Sequence, residues 1–165
     1  MDAIIQLSAA QRAELFSAAA QQLGIGAIIV EKDFWVCWTL RQLFALPELQ
    51  GHLIFKGGTS LSKVWRIIHR FSEDIDVSLS RDWLGATGER DPESSGTGKQ
   101  RRKRLEDLSA ACAQRIHDVV LPRLRDSVVV SLGDAGWSIA VAETDAQSLL
   151  FILPGVKFSE NHMCY

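Results

Sequence analysis

The pattern of this chain predicts an α+β fold: a mixed sheet flanked by helices, with two further helices leading into it. Three observations carry that reading. Two stretches of helical periodicity fill the first 50 residues. A short apolar strand, Leu53-Ile54-Phe55, then runs into the glycine pair Gly57-Gly58 and another helical stretch. Finally, β-patterned runs return late in the chain, after a long basic helix.

The elements follow in order. Ser8 to Gln11 has the spacing of a capping box, and Leu15, Phe16, Ala19 and Leu23 then recur at helical intervals until Gly24 and Gly26 stop them. A second helix is expected from about Ala27 to Phe44, with Trp35 and Trp38 as core anchors rather than stacking platforms for bases, and Pro47 closing it. After the Leu53–Phe55 strand, a third helix is expected from Thr59 to about His69, and a second strand from Asp74 to Leu79. Residues 82–98 are rich in Gly, Ser, Asp and Pro and read as a mobile loop. The run Lys99, Arg101, Arg102, Lys103, Arg104 opens a long helix to about Arg125, with Leu105, Leu108, Cys112, Ile116, Val119 and Val120 as its buried stripe. Three strands are expected to close the fold: Ser127–Leu132, Trp137–Ala142 and Ser148–Leu153, the first two joined by a hairpin turn at Gly133–Gly136. The organisation is therefore a helical segment over 1–50 packed on a core over 51–153, with an irregular tail or cut end over 154–165.

Bulk properties narrow the class. At 165 residues one domain is expected, and 47% hydrophobic with 23% charged residues is ordinary for a globular protein. A net charge of -2 argues against a generally basic nucleic-acid coat protein but leaves room for a local basic patch. Cys37, Cys112 and Cys164 form no CxxC pair, so neither a disulfide framework nor a zinc site is indicated. With no apolar run near the roughly 18 residues of a membrane span, and no signal-like start, a cytoplasmic location is the expectation.

The chemistry concentrates in residues 56–79. Asp74 and Asp76 flank the apolar Ile75. On a strand this spacing brings both carboxylates to one face, roughly 7 Å apart. Hard oxygen ligands of this kind suit Mg2+, and metal ions neutralise a polyphosphate in nucleotide transfer. Gly57 and Gly58 lie where a strand passes into a helix. Backbone N–H groups there can approach a phosphate closely, with Thr59 and Ser60 as further hydroxyl donors. Lys63, a turn further on, is a candidate for phosphate contact; its plainer reading is a solvated helix lysine. The stretch is no Walker A loop, which needs a second glycine before Lys63, and no dinucleotide fingerprint.

Phe55 to Lys63, together with Arg70-Phe71-Ser72-Glu73-Asp74-Ile75-Asp76-Val77, closely resembles the AbiEii/AbiGii toxin family, and Val30 to Val36 is similar to its N-terminal helix. The resemblance is strong over about residues 25–80 and weaker through Ser148-Leu149-Leu150-Phe151. It implies a polymerase-β-like nucleotidyltransferase core. It also implies that Gly57, Gly58, Thr59 and Ser60 form the nucleotide-binding turn and that Asp74 and Asp76 bind the metal. The implied function is a metal-dependent transfer of NMP from an NTP to an acceptor, RNA such as tRNA, by the toxin of a bacterial toxin–antitoxin or phage-defence pair. Mg2+, an NTP, an RNA acceptor and an antitoxin are the implied cofactor and partners. The family pattern continues past this length with a further carboxylate-bearing strand and a helical part, so a C-terminally truncated member is expected.

Two other functions fit the same residues: an inactive remnant that binds a partner, and a nucleotidyltransferase that modifies protein. The Lys99–Arg104 run reads either as a solvated helix start or as an RNA-backbone contact, since cations at a helix N-terminus oppose its dipole. Glu31, Lys32 and Asp33 read as a helix-surface charge set, and His52, His69, His117 and His162 show no ligand spacing.

Overall fold

The computed structural model describes residues 1–64, 74–94 and 96–153, without the side chain of Ser62. Helix α1 (Asp2–Ile5) leads into α2 (Ala9–Leu23), whose start is a formed capping box: Ser8 accepts from the Gln11 N–H while the Gln11 side chain accepts from that of Ser8. Gly24, at φ 67°, ends α2 in the left-handed conformation that glycine adopts without penalty. The chain then turns by 109° into α3 (Ala27–Ala45). A 3-10 turn at Pro47–Leu49 follows α3, as Pro47 requires.

Strand β1 (Leu53–Phe55) pairs antiparallel with β2 (Val77–Leu79), and helix α4 (Gly57–Lys63) starts directly after β1. Two 3-10 turns, Gly88–Arg90 and Pro92–Ser94, precede α5 (Gly98–Arg115). A π turn, Ile116–Val120, joins α5 to α6 (Leu121–Leu132). The widened turn has a local cause. Pro122 has no N–H for the Asp118 carbonyl and its ring would crowd that carbonyl, so the Leu121 N–H reaches back to Ile116 instead. Strand β3 (Ser138–Ala142) and β4 (Asp145–Ile152) form a second antiparallel pair.

Several expectations change. Among the described residues the strands make two separate antiparallel pairs rather than one mixed sheet. Ser127–Leu132 is helix, not strand, and Gly133–Gly136 therefore links α6 to β3; the hairpin turn falls at Glu143-Thr144. The β-branched run Val128-Val129-Val130 favours a strand locally, but burial overrides it. Ile116, Val120, Leu124 and Val128 recur every four residues and are all buried, while Val130 is 88% exposed. The predicted stripe of α5 holds from Cys112 onward, whereas Leu105 is exposed because the first turns of α5 run beyond the core. The expected 59–69 helix begins two residues earlier, at Gly57, and its far end lies outside the described residues, as do Trp65, His69 and the 154–165 tail.

An aromatic chain ties the N-terminal helices to the second strand pair. Phe16 on α2 meets Phe34, which meets Trp35; Trp35 meets Trp38 edge-on at 5.6 Å, and Trp38 meets Phe151 of β4. Trp35 and Trp38 are the core anchors expected of them, with 1% and 0% exposure. Arg12, buried over the Trp35 ring, donates to the Leu7 carbonyl and locks the α1–α2 corner on α3. No single helix among the described residues is long and apolar enough to cross a membrane.

Leu124 sits at the centre of this core with no exposed surface. Leu124→Ala is expected to destabilise the fold by about 2–5 kcal/mol in chemical denaturation, whereas Val130→Ala is expected to change it by less than about 0.5 kcal/mol.

Candidate active site

The inner face of the β1–β2 pair is apolar: Leu53, Phe55, Val77 and Leu79 all pack on the core. Alternation therefore turns Ile54, Lys56, Asp76 and Ser78 to the other face. The ladder gains one bond beyond the strand ends, from the Lys56 N–H to the Asp76 carbonyl at 2.8 Å. Asp74 to Asp76 were expected inside the strand; they form an extended approach to it, and β2 begins at Val77. Ile75 is buried in the core while Asp74 is exposed and Asp76 half-buried, so the two acids lie on the outward side of an inward isoleucine.

Past Lys56 the backbone turns through Gly57 at φ 71°, a left-handed conformation, and enters α4. This glycine answers a second demand as well. A Cβ built on it would stand 1.7 Å from Oδ2 and 2.5 Å from Cγ of Asp76. The carboxylate of Asp76 thus lies directly on the backbone of the turn, in the space any larger residue would fill. Thr59, 1% exposed, donates its hydroxyl to the Asp74 carbonyl at 2.5 Å and fastens the aspartate segment to α4. Ser60, beside it, is also buried.

At the end of α4, Lys63 makes an ion pair with Asp33 of α3. Asp33 belongs to the charge set that the sequence placed merely on a helix surface. A separation of 30 residues hides the pairing, and no local spacing signals it. Cys37, one turn along α3, lies in the same neighbourhood. Burial pushes its thiol pKa up, the Lys63 ammonium draws it down, and the Asp33 carboxylate adds a smaller upward push.

The structure therefore brings Gly57, Thr59, Asp74 and Asp76 into one junction, and fixes Lys63 on α3. Arg70 to Glu73, the middle of the motif, lie outside the described residues. No group of three or more His, Cys, Asp or Glu side chains suited to a metal ion occurs among the described residues. Two carboxylates still fit one kind of cation. Mg2+ is held by one or two protein carboxylates, with water and substrate phosphates completing its shell, and Asp76 presents its oxygens at the backbone turn a phosphate would approach.

The family model described as "Nucleotidyl transferase AbiEii toxin, Type IV TA system" matches residues 38–151, more than half of the chain. The chain belongs to this family. The AbiEii family makes it a nucleotidyltransferase toxin of a type IV toxin–antitoxin system, with a nucleotide substrate and an antitoxin partner. No curated protein and no solved structure matches it.

Gly57→Ala is expected to lower stability by at least about 1 kcal/mol, the order of the left-handed penalty for a residue with a Cβ. It is also expected to displace the Asp76 carboxylate. Denaturant midpoints check the first effect, and a structure of the variant checks the second.

Proposed function

We propose that this AbiEii protein transfers a nucleoside monophosphate from an NTP to a hydroxyl of RNA, with tRNA as the acceptor class. The reading rests on one observation above all: the Asp76 carboxylate lies on the backbone of the Gly57 turn, so an acid and a close-approach phosphate surface share one junction.

In this proposal Asp74 and Asp76 hold Mg2+, which when bound neutralises the triphosphate and lowers the pKa of the attacking hydroxyl. Gly57 and Gly58 let the donor phosphates come close to backbone N–H groups. The Thr59 hydroxyl is engaged by the Asp74 carbonyl, so its part is to hold the acids in place, and donation to phosphate falls to the backbone and Ser60. Lys63, oriented by Asp33, adds positive potential on the α3 side of the turn. In this reading the acceptor hydroxyl attacks the α-phosphate in line from the outward side of Asp76.

Asp74→Asn/Asp76→Asn is expected to abolish Mg2+-dependent NTP binding in calorimetry while leaving the circular dichroism spectrum and denaturation midpoint near those of the parent. Unchanged NTP binding would remove the metal-site assignment. Incubation of the parent with labelled NTP and total RNA is expected to label RNA; label carried by protein instead would transfer the same site to a protein acceptor.

A further inference from the structure

The first turns of α5 run past the core and meet the two 3-10 turns of residues 88–94, and a cleft of about 350 Å3 lies between them. One stripe of α5 lines it: Gln100, Lys103, Arg104, Asp107, Leu108 and Ala111, at intervals of three and four residues. The opposite wall carries Leu84, Ala86, Glu89 and Arg90. The guanidinium of Arg90 lies over the backbone of Gly85, 3.9 Å from where a Cβ would be.

The segment was expected to be a mobile loop, yet this wall is tied down. Arg81 pairs with Asp91 at 3.1 Å and with Glu93 at 2.9 Å, and Arg104 donates to the Asp91 carbonyl at 3.0 Å. Those contacts occupy Arg81 and engage Arg104. Arg90 and Lys103 make no ion pair among the described residues, although Glu89 and Asp107 are close by in the same lining. Arg90 and Lys103, without ion pairs among the described residues, stand on opposite walls beside the apolar Leu84, Ala86 and Leu108, with Glu89 and Asp107 in the same lining; the cations and the apolar side chains together match a ligand with an anionic edge and an apolar body.

A second groove shares Leu84 and Leu108 with the first and extends along Leu105 to Ser78 and Leu79 of β2.

We propose that this cleft seats a nucleotide of the single-stranded acceptor RNA, with Arg90 and Lys103 on its phosphodiester and the apolar side chains against its base. The proposal rests on the nucleotidyltransferase reading for the word acceptor, but binding itself is independent of transfer. A single strand suits the site because its unstacked bases can enter a pocket of this size, whereas paired bases cannot.

The test uses the full chain and a fluorescein-labelled single-stranded RNA oligonucleotide, followed by anisotropy over a salt series. Arg90→Ala/Lys103→Ala is expected to weaken binding about tenfold at low salt. It should also flatten the slope of log K against log salt by roughly 0.7, the contribution of one neutralised phosphate of a single strand. Mg2+-dependent NTP binding by this variant should equal that of the parent. Arg101→Ala/Arg102→Ala, which removes two cations from α5 outside the cleft lining, should leave RNA affinity within about twofold. Equal losses from both pairs would mean diffuse attraction and overturn the cleft. So would unchanged RNA binding in Arg90→Ala/Lys103→Ala, or a preference of the parent for an acidic peptide over RNA through the same two residues. Failure of the donor-site reading looks different: NTP binding would survive Asp74→Asn/Asp76→Asn while RNA binding kept its dependence on Arg90 and Lys103.

Discussion

The contact between Asp76 and the backbone of Gly57 sets the rest of the site. It needs a residue without a Cβ at a positive φ, a ladder bond that brings Lys56 to Asp76, and an inward Ile75 that leaves the acids outside. Each requirement is met by a different element. Strand β1 delivers the turn, α4 carries it away, and the Thr59 hydroxyl holds the aspartate segment from the helix side. Backbone N–H groups at a helix start favour an anion, so the Asp76 carboxylate and a phosphate would compete for this turn unless a cation lay between them, which on the proposed reading is the place of Mg2+.

The helices hold that junction from below. The aromatic chain from Phe16 to Phe151 fixes α3 between α2 and the β3–β4 pair. With α3 fixed, Asp33 stands at a defined place beside Lys63. Ion pairs between partly exposed groups add little stability by themselves. The Asp33–Lys63 pair therefore matters more for direction than for energy, since it points the last turn of α4 at α3 and so sets the heading of the helix that begins at Gly57.

Where local chemistry decided the outcome, the sequence could be read. The Ser8–Gln11 box, the Gly24 stop, the two tryptophans, the Leu53–Phe55 strand and the glycine pair beside two aspartates all follow from spacing, and the structure has them. Where packing decided it, the reading failed. Val128-Val129-Val130 looks like a strand until Ile116, Val120, Leu124 and Val128 are seen as one buried row. The π turn at Pro122 lets that row continue, although a proline there suggests an interruption. Asp33 and Lys63 gave no sign of each other, because a contact across thirty positions leaves no trace in a periodic pattern. The fold was thus more legible within elements than between them, and the strand pairing was the least legible of all.

The distribution of charge follows the same division of labour. A net charge of -2 describes the chain as a whole and hides two charged regions. Acids at 74 and 76 lie at the turn proposed for a cation and a triphosphate, and cations at 90 and 103 line a cleft beside the start of α5. Neither region is of one sign: Lys56 shares its face with Asp76, and Glu89 and Asp107 share the cleft lining with Arg90 and Lys103, so placement rather than net sign has to select what binds at each. The basic start of α5 runs beyond the core, and the groove through Leu84 and Leu108 carries its cleft on to the edge of β2. The cations at the α5 N-terminus oppose its dipole at a cost of some tenths of a kcal/mol, and on the proposed reading an anionic strand bound there would offset that cost.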